Sequence, residues 1–129
     1  MIVDSSVFIA LLRREPGCEI YERALAGTRP LAASAGTLVE TAIVAEGKGG
    51  ERAGADLDLL IRQMEVEIVP FTADHAALAR EGWRRYGKGR HPAGLNLGDC
   101  FAYALARSRN EPLLFKGDDF AQTDVKAAI

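Results

Sequence analysis

MIVDSSVFIALLRR, residues 1–14, decides how the rest of the chain is read. A short apolar start, 1–3, reads as a strand, an acid follows at Asp4, and residues 6–14 read as a helix. Strand, acid and helix in that order form the first unit of an α/β sheet. They set Asp4 at the carboxyl edge of a parallel sheet, the edge where open α/β sheets bind their ligands. The pattern then recurs along the chain. Strand-like segments fall at 30–33, 66–71 and 112–115, and further helix-like segments at 18–26, 37–48, 51–64, 74–86 and 97–109. Thr72 and Asn96 are placed to cap the helices that begin at 74 and 97. The expected fold class is α/β: a small parallel sheet of four or five strands flanked by helices. Residues 86–94, YGKGRHPAG, are the one long loop, too polar and glycine-rich for a core.

With 129 residues the chain is one compact domain, 1–129. Apolar residues at 48% and charged residues at 26% match globular proteins and exclude disordered or fibrous chains. Sixteen cations against eighteen acids give a net charge of −2, so the total charge does not by itself point to nucleic acid. Cys18 and Cys100 have no CxxC spacing and read as reduced packing thiols of a cytoplasmic protein. No run is long enough to span a membrane, and the charge order around residues 5–12 is the reverse of a signal peptide.

The acids that fall inside apolar segments carry the chemistry, because a lone buried charge costs several kcal/mol unless something compensates it. Asp4 ends the first strand, although it or Ser5 also suits a helix cap. Glu40, in GTLVETAIVA, is the only charge between Pro30 and Ala45, which favours a buried carboxylate with a cationic partner over an exposed one. Asp99, in NLGDCFAYALA, fits a capping box with Asn96 and equally well a carboxylate aimed at the sheet edge. Asp118 and Asp119, in LLFKGDDF, read singly as a turn. Together these acids can gather at one edge, where they would repel one another unless a hard cation held them ionised. Oxygen donors without nearby His or Cys select Mg²⁺ or Mn²⁺ over zinc. His75 and His91 read as surface residues.

These residues resemble the PIN-domain ribonucleases of the VapC toxin type, from bacterial toxin–antitoxin pairs. MIVDSSVFIALL, VETAIVAEGKGG, HPAGLNLGDCFAYALAR and PLLFKGDDFAQTDV carry the resemblance, in order and over nearly the whole chain. It implies a PIN-like three-layer sandwich and a metal-dependent endoribonuclease. Asp4 and Asp99 would be direct ligands of Mg²⁺ or Mn²⁺, and Glu40 would hold a water of the ion or orient the nucleophile. The fourth acid would be Asp118, nearer the strand end, or else Asp119. Ser6 and Asn96 would support the acids. The resemblance also implies a VapB-like antitoxin whose C-terminal segment blocks the site, a homodimer, and a toxin–antitoxin hetero-oligomer.

An RNA substrate requires local positive charge. Between residues 80 and 91 five cations face one acid, Glu81, with Trp83 and Tyr86 interleaved. Arg84, Arg85, Lys88 and Arg90, with Arg13 and Arg14 from the first helix, are the candidate phosphate-tracking residues. A solvated helix face with Trp83 in the core accounts for the same pattern. Two further readings compete: a catalytically silent module of the same fold, and a phosphoacceptor receiver-like domain. A receiver would need an acidic pair after the first strand, where this chain has Asp4-Ser5, and an acid after a middle strand.

Overall fold

The computed structural model describes residues 1–129, in the order β1 (Ile2–Val3), α1 (Ser5–Leu12), α2 (Glu19–Ala26), β2 (Leu31–Ser34), α3 (Ala35–Gln63), β3 (Val66–Val69), α4 (Ala73–Tyr86), α5 (Leu97–Arg109) and β4 (Leu113–Leu114). The four strands form one sheet in the order β3-β2-β1-β4, and every pair is parallel. Ala127 adds an isolated parallel bridge to Leu113 beyond β4, so the edge is four strands plus a fragment.

Alternation along the strands separates two cores. Met1, Val3, Leu31, Ala33 and Leu114 face one side and pack with Val7, Phe8 and Leu11 of α1, Leu25 of α2 and Leu57 of α3. Ile2, Ala32 and Leu113 face the other side, against Ala79 of α4 and Cys100, Tyr103 and Leu105 of α5. A sheet buried on both faces has no polar alternation, and all four residues of β2 are buried. The result is the expected three-layer α/β sandwich. Each fully buried large apolar side chain contributes about 1.5–3 kcal/mol.

The strand order puts the topological switch between β1 and β4, because the chain moves from β1 through β2 to β3 before crossing to the other side. Crevices at such a switch lie outside the carboxyl ends of the strands. Here those ends are Asp4 and the turn after Leu114.

Thr72 and Asn96 cap α4 and α5 as expected, accepting from His75 N at 3.2 Å and Asp99 N at 2.9 Å. The two helices read at 37–48 and 51–64 form one helical run, interrupted only at Gly50, whose φ of 66° and ψ of −168° break the helical path. Residues 86–95 are more ordered than their composition suggests. Gly87 bridges Leu95, Lys88 N donates to Leu95 O at 2.9 Å, and Ala93 and Leu95 are buried. His75 is buried rather than superficial, edge-on to Phe71 at 6.1 Å. His91 is half-buried, with Nδ1 accepting from Ala93 N at 3.0 Å.

Candidate active site

At the end of β1, Asp4 is a cap and a free carboxylate at once. Its Oδ2 accepts from Ser6 N at 3.0 Å and from Ser6 Oγ at 2.7 Å, which starts α1. Its Oδ1 is buried and has no partner. Ser6 Oγ also accepts from Lys116 N at 2.9 Å, so this hydroxyl ties the end of β1 to the end of β4 across the switch.

Asp99 divides its oxygens in the same way. Oδ2 accepts from Asn96 N at 3.0 Å and completes the capping box of α5. The sequence left cap and site ligand as alternatives for both acids, and the structure shows that capping occupies only one oxygen of each.

Glu40, on the second turn of α3, has no cationic side chain beside it, contrary to the expected ion pair, and its buried Oε1 has no partner. What holds it is space. A Cβ on Gly98 would lie 1.4 Å from Glu40 Oε2, so the glycine between Leu97 and Asp99 is the cradle in which the carboxylate rests. A Cβ on Gly36 would likewise meet the Phe101 ring at 2.5 Å, which sets how closely the starts of α3 and α5 approach. Sequence reading gave these glycines no role. A glycine in the first turn of a well-capped helix, where it lowers helix propensity, was the available signal.

The electrostatics follow from burial. Asp99 is pushed up to about 7, first by desolvation and then by the charges of Asp4, Asp119 and Glu40, against the Asn96 N–H that favours its ionised form. Asp4 is also raised, mainly by desolvation with a contribution from Glu40, while its bonds from Ser6 oppose the shift. Asp4, Glu40, Asp99 and Asp119 therefore share one field. Of the two adjacent acids after β4, Asp119 is the one whose charge acts on Asp99, although Asp118 is nearer the strand.

No ion pair in the molecule involves any of these acids. Nor do three of them converge into a ready-made ligand cage. A hard cation such as Mg²⁺ keeps several waters and takes only one or two carboxylates directly, so it does not require such a cage. Buried acceptor oxygens without donors, in a group of mutually repelling acids, fit a hard divalent cation.

The basic residues divide into two kinds. Arg85 is occupied, bonding Asp124 at 3.0 Å and facing Glu81 at 3.7 Å. Arg14 faces Glu22 at 3.3 Å, and Arg13 donates to Val44 O at 3.4 Å. Arg84, Lys88 and Arg90 are exposed and have no acidic partner. Lys116 is paired with Glu15.

A parallel sheet in this order, with acids after the carboxyl ends of β1 and β4 and on two converging helix starts, is the arrangement of a PIN domain. The sequence profile described as PIN domain matches residues 1–126, and the chain belongs to that family. Within the family its kin are VapC ribonucleases: it is 49% identical over 127 residues to Ribonuclease VapC of Mycolicibacterium smegmatis, covering 98% of each chain. The fold matches the crystal structure of Mycobacterium tuberculosis VapC20, described as a sarcin-ricin loop cleaving toxin, with a TM-score of 0.77, 21% identity and 96% and 95% of the two chains covered. It also matches VapBC2 of Rickettsia felis, solved bound to a DNA fragment from the promoter, with a TM-score of 0.76, 16% identity and coverage of 98% and 94%. The resemblance read from the sequence is thus established, and the receiver-like alternative is set aside. No helix is long and apolar enough to cross a membrane.

Proposed function

We propose that this protein is a Mg²⁺- or Mn²⁺-dependent endoribonuclease, the toxin of a toxin–antitoxin pair acting in the cytoplasm. Membership of the VapC ribonucleases supports the reaction class. The observation that carries the metal reading is the pair of buried, donorless oxygens, Asp4 Oδ1 and Glu40 Oε1, in a group of acids with no protein cation. A silent module has no reason to retain that arrangement.

A divalent ion, when bound, supplies the charge that lets the acids ionise together and eases deprotonation of a nucleophilic water. Asp4 and Asp99 would hold it through the oxygens their helix caps leave free. Ser6 fixes the Asp4 carboxylate, and Asn96 fixes that of Asp99 through the reciprocal capping box. Glu40, held in the Gly98 cradle, is placed to orient the attacking water and accept its proton. Asp119 is the fourth acid in this reading, since its charge reaches Asp99. Arg84, Lys88 and Arg90 would guide the phosphate backbone.

The expected partners are RNA, a VapB-like antitoxin that blocks the acids, and a second copy of the chain. Val39, Ile43 and Leu97, at 59%, 66% and 75% exposure, offer apolar surface for such contacts. The test is incubation of purified, antitoxin-free protein with total RNA in Mg²⁺, Mn²⁺ or EDTA, beside Asp99→Asn. Cleavage that needs metal and vanishes in the variant is the expected result; equal cleavage by the variant, or none with either metal, overturns the reading.

A further inference from the structure

Trp83 is the only tryptophan in the chain, and it is 45% exposed. A large aromatic ring left in water is ordinarily folded back into the nearest apolar surface, and here local features hold it out. The Arg90 guanidinium lies over the indole at 4.7 Å. Gly87 adjoins it closely enough that a Cβ there would come within 2.6 Å of the ring, so the residue that ends α4 is one that leaves room for this indole. The ring is a positioned platform and not a loose surface side chain.

Trp83 also borders a pocket of about 330 Å³, lined by Ala79, Arg80 and Trp83 of α4 and by Leu97 and Cys100 of α5. That volume falls in the range of sites that take small planar molecules, about 300–1,000 Å³. Leu97 forms the ridge between this pocket and a second groove, whose lining includes Glu40, Asn96, Gly98 and Phe101. The Trp83 pocket is therefore separated by Leu97 from the groove that holds Glu40, and in sequence the cradle glycine Gly98 and Asp99 fall between its two α5 residues, Leu97 and Cys100. Arg80 lines it and Arg90 covers its indole, while Arg84, one turn from Arg80 on α4, and Lys88, just past the end of α4, are further exposed cations; none of the four has an acidic partner.

An aromatic face with an apolar floor and unpaired cations on its rim is complementary to a flat ring attached to an anionic chain. We propose that the Trp83 pocket is a nucleobase subsite: one unpaired base of the RNA stacks between the indole and Leu97 while Arg80, Arg84 and Lys88 take the adjoining phosphates. This rests on the nuclease reading and deepens it, because it makes Trp83 a residue that selects for an unstacked base beside the bond to be cut. Stacking of this kind tolerates every base, so the subsite selects for strand conformation more than for sequence.

The single tryptophan makes the test direct. The full-length protein in EDTA, which prevents cleavage, is titrated with a single-stranded hexaribonucleotide and, separately, with inorganic polyphosphate of equal charge. RNA quenches the indole emission and polyphosphate binds without quenching. Trp83→Ala weakens RNA binding, read by anisotropy of a labelled strand, about ten-fold, within the range of one base–aromatic stack, and leaves polyphosphate binding unchanged; Trp83→Phe restores most of the loss. RNA that binds or is cleaved with no change in emission overturns the subsite while leaving the nuclease intact. Quenched binding without metal-dependent cleavage overturns the nuclease reading alone. An emission change that follows protein concentration without RNA means that a second copy covers the pocket, and this too overturns the proposal.

Discussion

Asp99 is pulled in opposite directions at one carboxyl group. As the third residue of α5 it caps a helix start, which favours the ionised form; as a half-buried acid beside Asp4, Glu40 and Asp119 it is disfavoured as a charge. Burial wins and places it at about 7, against about 3.9 in an unfolded chain. Between those values the folded protein binds the proton and the unfolded chain does not, so stability falls as pH rises through this window. Metal-free protein should therefore melt at a lower temperature at pH 8 than at pH 5.5, and Asp99→Asn should flatten that slope. Added Mg²⁺ should raise the melting temperature more at pH 8 than at pH 5.5. Thermal melts in EDTA and in Mg²⁺ check both, and a wild-type melting temperature that rises with pH in EDTA contradicts the account. Gly98 allows a cleaner separation of site from fold. In Gly98→Ala the new methyl would occupy the place of Glu40 Oε2, the far end of a flexible side chain, so the chain folds but the carboxylate is displaced. Cleavage should fall about a hundredfold, the usual cost of moving a catalytic group by about 1 Å. Circular dichroism should show the same helix content.

Among the elements, the segment after β4 shows most clearly how far the sequence could be read. The acids in KGDDF stand out as residues, but nothing in residues 120–129 announces that this tail is fastened at three places. Phe120 is buried against Phe115 at 5.2 Å; Asp124 accepts from Tyr103 Oη at 2.9 Å and pairs with Arg85 at 3.0 Å and Arg107 at 3.3 Å; and Lys126 and Ala128 bond Leu113 through the backbone. Asp124 joins residues from α4, α5 and the tail, and no periodicity links positions so far apart. The choice between Asp118 and Asp119 depends on how this tail is held, which residue order along the strand does not show. By contrast, the caps at Asp4, Thr72 and Asn96 and the break at Gly50 were legible, because each depends on residues within four positions of one another. Asp124→Ala should cost about 1–3 kcal/mol by stripping the buried Tyr103 hydroxyl and two guanidinium groups of their acceptor. Urea unfolding measures it. Tyr103→Phe should cost less, since Asp124 keeps both arginines.

For the whole molecule, a net charge of −2 conceals a segregation: repelling acids at the switch between β1 and β4, and unpaired cations along α4 and the loop after it. Composition alone cannot show this, because it counts Arg85 and Arg84 alike. The structure separates them. Arg85 spends its charge on Asp124 and Glu81 and holds the tail in place, while Arg84 and Lys88 have no acidic partner and remain available to phosphate. Binding to single-stranded RNA should weaken with salt at a logarithmic slope of about −0.7 per phosphate neutralised. The double variant Arg84→Gln/Lys88→Gln should therefore make the slope shallower by about 1.4, with no loss of thermal stability. Arg85→Gln should do the reverse, leaving the slope close to that of the wild type while lowering the urea midpoint, because the charge it removes was already neutralised within the fold. RNA affinity measured in EDTA at four salt concentrations, beside urea unfolding of each variant, separates the two. If Arg85→Gln changes the salt slope as much as the double variant does, then its pairing with Asp124 opens when RNA arrives, and the clamp on the tail is part of the RNA-binding surface rather than a fixed support behind it.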